Sequence, residues 1–247
     1  YSPTQPNLPA RLQPPFWMEG GSTTYPLGTD ALGRDLLTRI IYGTRVSLIV
    51  AFLVILIGGG LGVTAGLIAG YYGGRVDAVL MRIVDAVIAL PTILFAILLV
   101  VAMGAGLMTV VIAIMSLLWA RYARVIRGEV LSLKTRDFIA QARIAGCSTF
   151  RILLVHLFPN VLNTLMVMVT LQAGWVIIAE ASLSFLGAGV PPPTPTWGSI
   201  VSEGRQYITS AWWISTFSGL ALMLTVLSFN LFGDWLRDTL DPKLRQV

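Results

Sequence analysis

The chain has 247 residues, of which 55% are hydrophobic and 12% charged, and its mean hydropathy is +0.78. Soluble domains carry about a quarter charged residues, so this composition excludes an ordinary soluble domain and places the chain in a bilayer, where backbone groups must be satisfied inside helices or a closed barrel. The net charge of +5 reads as the Lys and Arg excess that membrane proteins keep on the cytoplasmic side; membrane lipid is the expected surrounding and nucleic acid is not an expected partner.

The apolar runs are continuous rather than alternating, which selects helices and gives an all-α membrane protein. The chain opens on a Pro-rich stretch without a starting Met, and 1–45 is expected as an extracytoplasmic N-terminal segment of a longer protein. No charge falls between Arg45 and Arg75, so Val46–Gly70 is a first span, about 20 apolar residues sufficing to cross. Within it Gly58, Gly62, Gly66 and Gly70 recur every four residues and lay a helix-packing strip along one face. Such a strip lets a second helix approach closely, either inside the chain or at an interface with a second membrane subunit. The segment GGGLGVTAG lacks the GK[ST] ending of a phosphate loop.

The uncharged run between Asp85 and Arg121 is too long for one crossing and breaks at Met103-Gly104-Ala105-Gly106. It gives spans at about 79–101, kinked at Pro91, and about 108–122. A polar stretch follows, 123–157, expected as a cytoplasmic loop; its part from Arg136 to Asn160 carries Arg136, Asp137, Arg143, Arg151 and His156 around a small-residue centre of Ala142, Ala145 and Gly146. Such a segment is costly in lipid and is better explained as a surface gripped by a soluble partner. A fourth span covers about 159–186, an outer loop about 187–211, and a fifth span about 212–232. The transmembrane domain is thus 46–235, with a cytoplasmic tail at 236–247. With the tail inside, twelve Lys and Arg fall on the cytoplasmic side and five outside, which fixes the orientation and calls for a sixth span upstream in the full-length protein.

Two carboxylates lie in or near spans, where each costs about 2.5–3.5 kcal/mol unless partnered. Asp85 follows Arg82 by three residues, a spacing that allows a pair on one helix face; Glu180 precedes Ala181-Ser182. Each either lines a pathway or has a structural role. Trp212 and Trp213 fit an outer interfacial belt and Trp235 an inner one. His156 is either a proton relay or a hydrogen-bonded structural residue, and Cys147 either a small contact residue or a redox switch. One cysteine and one histidine exclude an intrachain disulfide, a cysteine zinc site and a histidine metal cluster. No nucleophilic Ser/His/Asp grouping stands out, and the chain reads as a membrane subunit with a soluble partner rather than an enzyme, with no catalytic, cofactor-binding or metal-binding residues.

The segment Ala140–Pro159 resembles the cytoplasmic signature of permease subunits of binding-protein-dependent ABC importers: EAA, three residues, G, nine residues, I, one residue, LP. Ala142 matches the last alanine, Gly146 the glycine and Phe158-Pro159 the closing pair, while Ala140, Gln141 and His156 depart from Glu, Ala and Ile. PLGTDALGRDLLTRIIYGTRVSL (Pro26–Leu48), ASLSFLGAGVPPPTPTWGSI (Ala181–Ile200) and FNLFGDWLRDTLDPKLR (Phe229–Arg245) are similar to the C-type subunit of the peptide/nickel branch, as in dipeptide and oligopeptide importers. Thr196 and Trp235 stand where Glu and Gly are commoner.

The resemblance implies a type I importer permease bundle in the bacterial inner membrane, which couples ATPase closure to alternating access. It implies a second related permease completing the pathway, two cytoplasmic ATP-binding subunits that hold ATP and Mg, and an outer substrate-binding protein. The coupling helix would be Ala140–Phe150, with Ala140, Gln141, Ala142, Arg143, Gly146, Cys147, Ser148, Thr149 and Phe150 at the ATPase. Arg143 and Arg151 would pair with acidic groups there, and Gly28–Arg39 with Gly187–Tyr207 would either dock the binding protein or only cap helix ends. The solute would be a short peptide, or glutathione, a nickel chelate or an opine. A secondary transporter or channel working alone, and a membrane scaffold, remain as readings from other classes.

Overall fold

A computed structural model describes residues 2–240; Lys243, Arg245 and the end of the expected 236–247 tail lie outside the described residues. Among the described residues the regular structure is helical, with one isolated antiparallel bridge between Thr29 and Asp35. Four helical runs are long and apolar enough to cross a membrane, or five if one bent pair counts as a span.

The first run is longer than the sequence suggests. Helices α1 (Leu36–Val54) and α2 (Gly60–Tyr72) join through a π-helical turn at Ile55–Gly59 into a continuous 37-residue run. It starts well before Val46 because Asp35 caps it, its Oδ2 accepting the Thr38 backbone N–H at 2.9 Å. Arg39, inside the new first turns, is neutralised by buried Asp30 and half-buried Glu203. Helix α3 (Gly74–Ile88) and helix α4 (Thr92–Met103) cover the span expected at 79–101, and the expected kink at Pro91 is a sharp bend between two helices, 87°. Pro91 removes a donor and disfavours helical backbone at Leu90. Helix α5 (Leu107–Leu133) continues far beyond Tyr122.

Helix α6 (Asp137–Ile144) is short. One turn, α7 (Thr149–Arg151), then runs through a π-helical turn at Ile152–Leu157 into α8 (Phe158–Phe185), making another 37-residue run. Helix α9 (Trp197–Arg205) precedes α10 (Trp213–Leu240), which extends into the start of the expected tail. Exposure separates the long runs. The apolar windows of Leu36–Tyr72 and Leu107–Leu133 are 50% and 61% buried within the chain, those of Thr149–Phe185 and Trp213–Leu240 only 17% and 11%. The last two runs therefore leave the most apolar surface for lipid or another subunit to cover.

The described residues divide into two compact units. One comprises residues within Leu53–Thr92, Met115–Ala173 and Phe229–Val247. Its core is the glycine strip. A Cβ at Gly66 would lie 2.8 Å from the Ala123 carbonyl oxygen, and one at Gly70 2.7 Å from Val130 Cβ. A Cβ at Gly62 would collide with the Trp119 carbonyl oxygen, and one at Gly58 would sit 3.3 Å from Met115. The strip is thus used inside the chain: the α2 backbone lies directly on α5. Val84 of α3 packs with Ala120 and Ala123 of α5, flanked by Ala65 and Trp119. Asp77 of α3 holds Arg127 of α5 through both carboxylate oxygens, at 2.8 and 2.5 Å.

The other unit comprises described residues within Tyr1–Phe52, Ile93–Ile114 and Gly174–Ser228. Two indoles pin it. Trp197 Nε1 donates to the Ile40 carbonyl at 3.0 Å, and Trp213 Nε1 to the Thr29 carbonyl at 3.1 Å. Trp213 is only 4% exposed, so it is a core residue and not part of an interfacial belt; Trp212 and Trp235 are exposed. Thr196, buried, forms a reciprocal capping box with Ser199 at the start of α9. That role suits the hydroxyl found where the family signature usually has Glu.

Candidate functional site

Residues 136–151 form two helical pieces around a tight turn, not one helix over Ala140–Phe150. Asp137 sits in the first turn of α6, where the exposed N–H groups favour a negative charge. The other end closes as a Schellman motif: the Gly146 N–H donates to the Arg143 carbonyl at 3.0 Å and the Cys147 N–H to the Ala142 carbonyl at 3.0 Å. This needs left-handed backbone at Gly146, whose φ is +76°. The glycine is therefore required by the chain itself, and the space around it is open, with nothing within 4 Å of a Cβ built there. Ser148 then caps the next turn, its Oγ accepting the Arg151 N–H at 3.3 Å.

The side chains sort by face. Ala142 and Ile139 are buried beneath α6, so Ala142 seats the helix and offers no docking surface in this structure. Ala140, Gln141, Arg143 and Ser148 are exposed, Cys147 and Thr149 half-buried. Phe150 is 71% exposed, and so, at 87%, is Ile144. These two apolar side chains flank the same turn. Ile144 is absent from the sequence-based site; its position two residues before the glycine was the available sign. Arg143 also differs from expectation. Its guanidinium lies 5.2 Å from the centroid of the Tyr71 ring, within cation–π range, so this arginine has a partner inside the chain.

The spans' carboxylates are both satisfied. Glu180 is fully buried; its Oε2 accepts the Ser47 hydroxyl at 2.9 Å and its Oε1 the Ser184 hydroxyl at 2.7 Å. Asp85 pairs with Arg124 of α5 at 2.5 Å rather than with Arg82, and both groups of that pair are about half exposed or more. His156 lies in the π-helical turn, its carbonyl accepting the Asn160 amide at 2.6 Å. Among the described residues no three His, Cys, Asp or Glu side chains come together to hold a metal.

The segment Gly28–Arg39 is built around a charge cluster that spacing alone did not reveal. Asp30 is 1% exposed and accepts four bonds: the Leu32 and Arg34 backbone N–H groups on Oδ1 at 2.8 and 3.0 Å, and Arg34 Nε and Arg39 Nη1 on Oδ2 at 2.6 and 2.5 Å. Both arginines also reach Glu203 of α9, at 2.6–3.0 Å. The cluster ties the two segments proposed as an outer docking surface to each other, and most of Thr29–Arg39 is buried in doing so.

Comparison with known proteins agrees with this architecture. Residues 62–246 match the family described as binding-protein-dependent transport system inner membrane component. The Dipeptide transport system permease protein DppC of Escherichia coli K12 is 46% identical over 246 residues, covering 100% of this chain and 82% of that protein. The corresponding DppC of Haemophilus influenzae is 41% identical over 246 residues, with 100% and 83% covered. The Di/tripeptide transport system permease protein DppC of Pseudomonas aeruginosa is 42% identical over 247 residues, with 100% and 82% covered. In fold, the chain matches one from inward-facing crystals of the MetNI methionine ABC transporter at a TM-score of 0.64 and 19% identity, over 83% of this chain and 96% of that one. A helical bundle with this polar turn, matched along its whole length by such relatives, belongs to the family of inner-membrane permease components of binding-protein-dependent ABC import systems, which work with ATPase and substrate-binding partners.

Proposed function

We propose that the chain is one of two related permeases that together form the pathway for uptake of short peptides. The observation that carries the substrate class is the 41–46% identity, over 98–100% of this chain, to permeases named for dipeptide, di/tripeptide or peptide transport. Two ATP-binding subunits hold ATP and Mg in the cytoplasm, and an outer binding protein delivers the solute. In this reading the exposed turn bearing Ile144, Gly146 and Phe150 is the ATPase contact, with Gln141, Ser148 and Thr149 around it. The orientation follows: 123–157 and 236–247 face the cytoplasm, and 1–45 and 187–211 face outward, with the membrane domain at 46–235 between them. Glu180 and Asp85 are structural, since each is held by neighbours in the chain.

The test is purification from native membranes in mild detergent, followed by mass spectrometry, ATPase assay and uptake of a radiolabelled dipeptide in reconstituted vesicles. Recovery of a second permease and two ATP-binding subunits, with ATP-driven dipeptide uptake, supports the proposal. A chain isolated alone without ATPase activity, under conditions that preserve a known transporter, overturns it. Uptake of glutathione or a nickel chelate in place of dipeptide replaces the substrate while keeping the assembly.

A further inference from the structure

The C-terminal end of α2 is held by two cations that both come from the stretch leading into and through the polar turn. Lys134, just past α5, donates from Nζ to the Gly70 carbonyl at 2.8 Å. Gly70 is in the last turn of α2, whose carbonyls carry the negative end of the helix dipole, so a cation there is favourable. Arg143, on α6, stacks on Tyr71 one residue later. Tyr71 is braced edge-on by Tyr72, their ring centroids 5.6 Å apart. The α2 backbone is also seated on α5 along the glycine strip, with 2.7–2.8 Å between built Cβ atoms and the α5 surface at Gly66 and Gly70. A helix packed this closely along its length and gripped at its tip has little freedom to slide past its neighbour.

We infer that Tyr71, with Lys134 and Arg143, clamps α2 to the turn, so that α2 and α6 move as one body when the turn is displaced. The clamp makes Tyr71 and Lys134 positioning residues: they touch neither ATP nor the solute, and act by carrying displacement of α6 into the first long helical run. It also gives Arg143 its main partner inside this chain rather than on the ATPase. The inference rests on the coupling role proposed above for the turn.

The experiment uses the assembled transporter with Cys147→Ser as background and spin labels at two exposed positions, Thr64→Cys on α2 and Asp137→Cys on α6. Pulsed electron paramagnetic resonance records their separation in the resting and vanadate-trapped states. One distance population, unchanged by trapping, is expected for the background and for Tyr71→Phe, which keeps the ring. In Tyr71→Leu and in Arg143→Gln a second population should grow about two- to fivefold, the range set by an exposed cation–π contact. ATP hydrolysed per dipeptide imported should rise by a similar factor in the same variants. Arg143→Gln alters an exposed side chain and so reads the clamp even if Tyr71→Leu folds poorly. A background distance that shifts on trapping, or Tyr71→Leu and Arg143→Gln indistinguishable from background, overturns the clamp. Absent dipeptide uptake in vesicles holding the unsubstituted transporter, with the distances behaving as expected, removes the peptide assignment and leaves the clamp standing.

Discussion

Replacing Gly66 with alanine adds one methyl group where α2 leaves no room for it. The new Cβ would lie 2.8 Å from the Ala123 carbonyl oxygen and from Ile126 Cβ, and 3.0 Å from the Arg127 nitrogen. Two of those atoms are backbone, so no rotamer change relieves the contact and the helices must part by a few tenths of an ångström. Overpacking of this kind costs about 1–3 kcal/mol. Alanine returns about 0.5–1 kcal/mol through helix propensity, which leaves a net loss of about 0–2.5 kcal/mol. Gly60, on the same helix, is the control, because nothing lies within 4 Å of a Cβ built there; Gly60→Ala keeps only the propensity gain. In a chain of this size about 1 kcal/mol moves the melting temperature by about 2–4 °C. Thermal unfolding in mild detergent, followed by size exclusion, should therefore place Gly66→Ala about 2–12 °C below Gly60→Ala, and Gly60→Ala at or above the parent. Equal melting of the two variants would refute the close approach of α2 and α5 and return the strip to an interface with another subunit.

Three further substitutions test the remaining polar sites. Asp30→Ala leaves Arg34 and Arg39 buried with only Glu203 between them; breaking a buried ion pair costs about 3–5 kcal/mol, so folded yield and melting temperature should both drop sharply, and near-parental stability would show the cluster to be dispensable. Glu180→Ala strands the Ser47 and Ser184 hydroxyls at a cost of about 1–3 kcal/mol, whereas Glu180→Gln keeps an acceptor and should lose less; competition uptake assays should show unchanged solute preference in both, and altered preference would put Glu180 on the pathway. At Gly146, valine must adopt left-handed backbone at about 1–2 kcal/mol while asparagine tolerates it, so Gly146→Val should lower recovery of the ATP-binding subunits in pull-downs well below Gly146→Asn.

The sequence made some of this legible because some signals are local. Charge-free runs mark helices in lipid regardless of tertiary detail, and Pro91 bends a helix wherever it stands, so four of the five expected spans are long helical runs and the fifth is bent near Pro91. Helix ends were less legible. Arg39 reads as the end of a polar segment until Asp30 and Glu203 neutralise it, and Glu203 lies more than a hundred and fifty residues away along the chain. The same holds for Trp213, which reads as an interfacial aromatic until the Thr29 carbonyl takes its N–H. A four-residue glycine period announces that something approaches closely, but whether α5 or another subunit does so is a fact of tertiary packing. Arg82 and Asp85 have the spacing of a helical pair, yet Arg124 offers a competing partner from α5.

The departures from the permease signature acquire a physical sense once the turn is seen. Ala142 and Gly146 keep the family residue, and each is constrained from within: Ala142 is buried under α6, and Gly146 has the positive φ that closes the Schellman motif. A larger side chain at the first would lift the helix, and a β-branched one at the second would strain the turn. Ala140 and Gln141, where the signature has Glu and Ala, are exposed and carry no such constraint from this chain. Their identity is free to follow whatever lies against them. Ala142 and Gly146 thus define the shape of the turn, and Ala140 and Gln141 lie where, in the proposed reading, an ATP-binding subunit would contact it. Exchanging Ala140 and Gln141 for Glu and Ala should leave the stability within about 0.5 kcal/mol of the parent, as surface changes do, while changing the amount of ATP-binding subunit recovered. A large loss of stability with unchanged recovery would show instead that the two residues serve the fold.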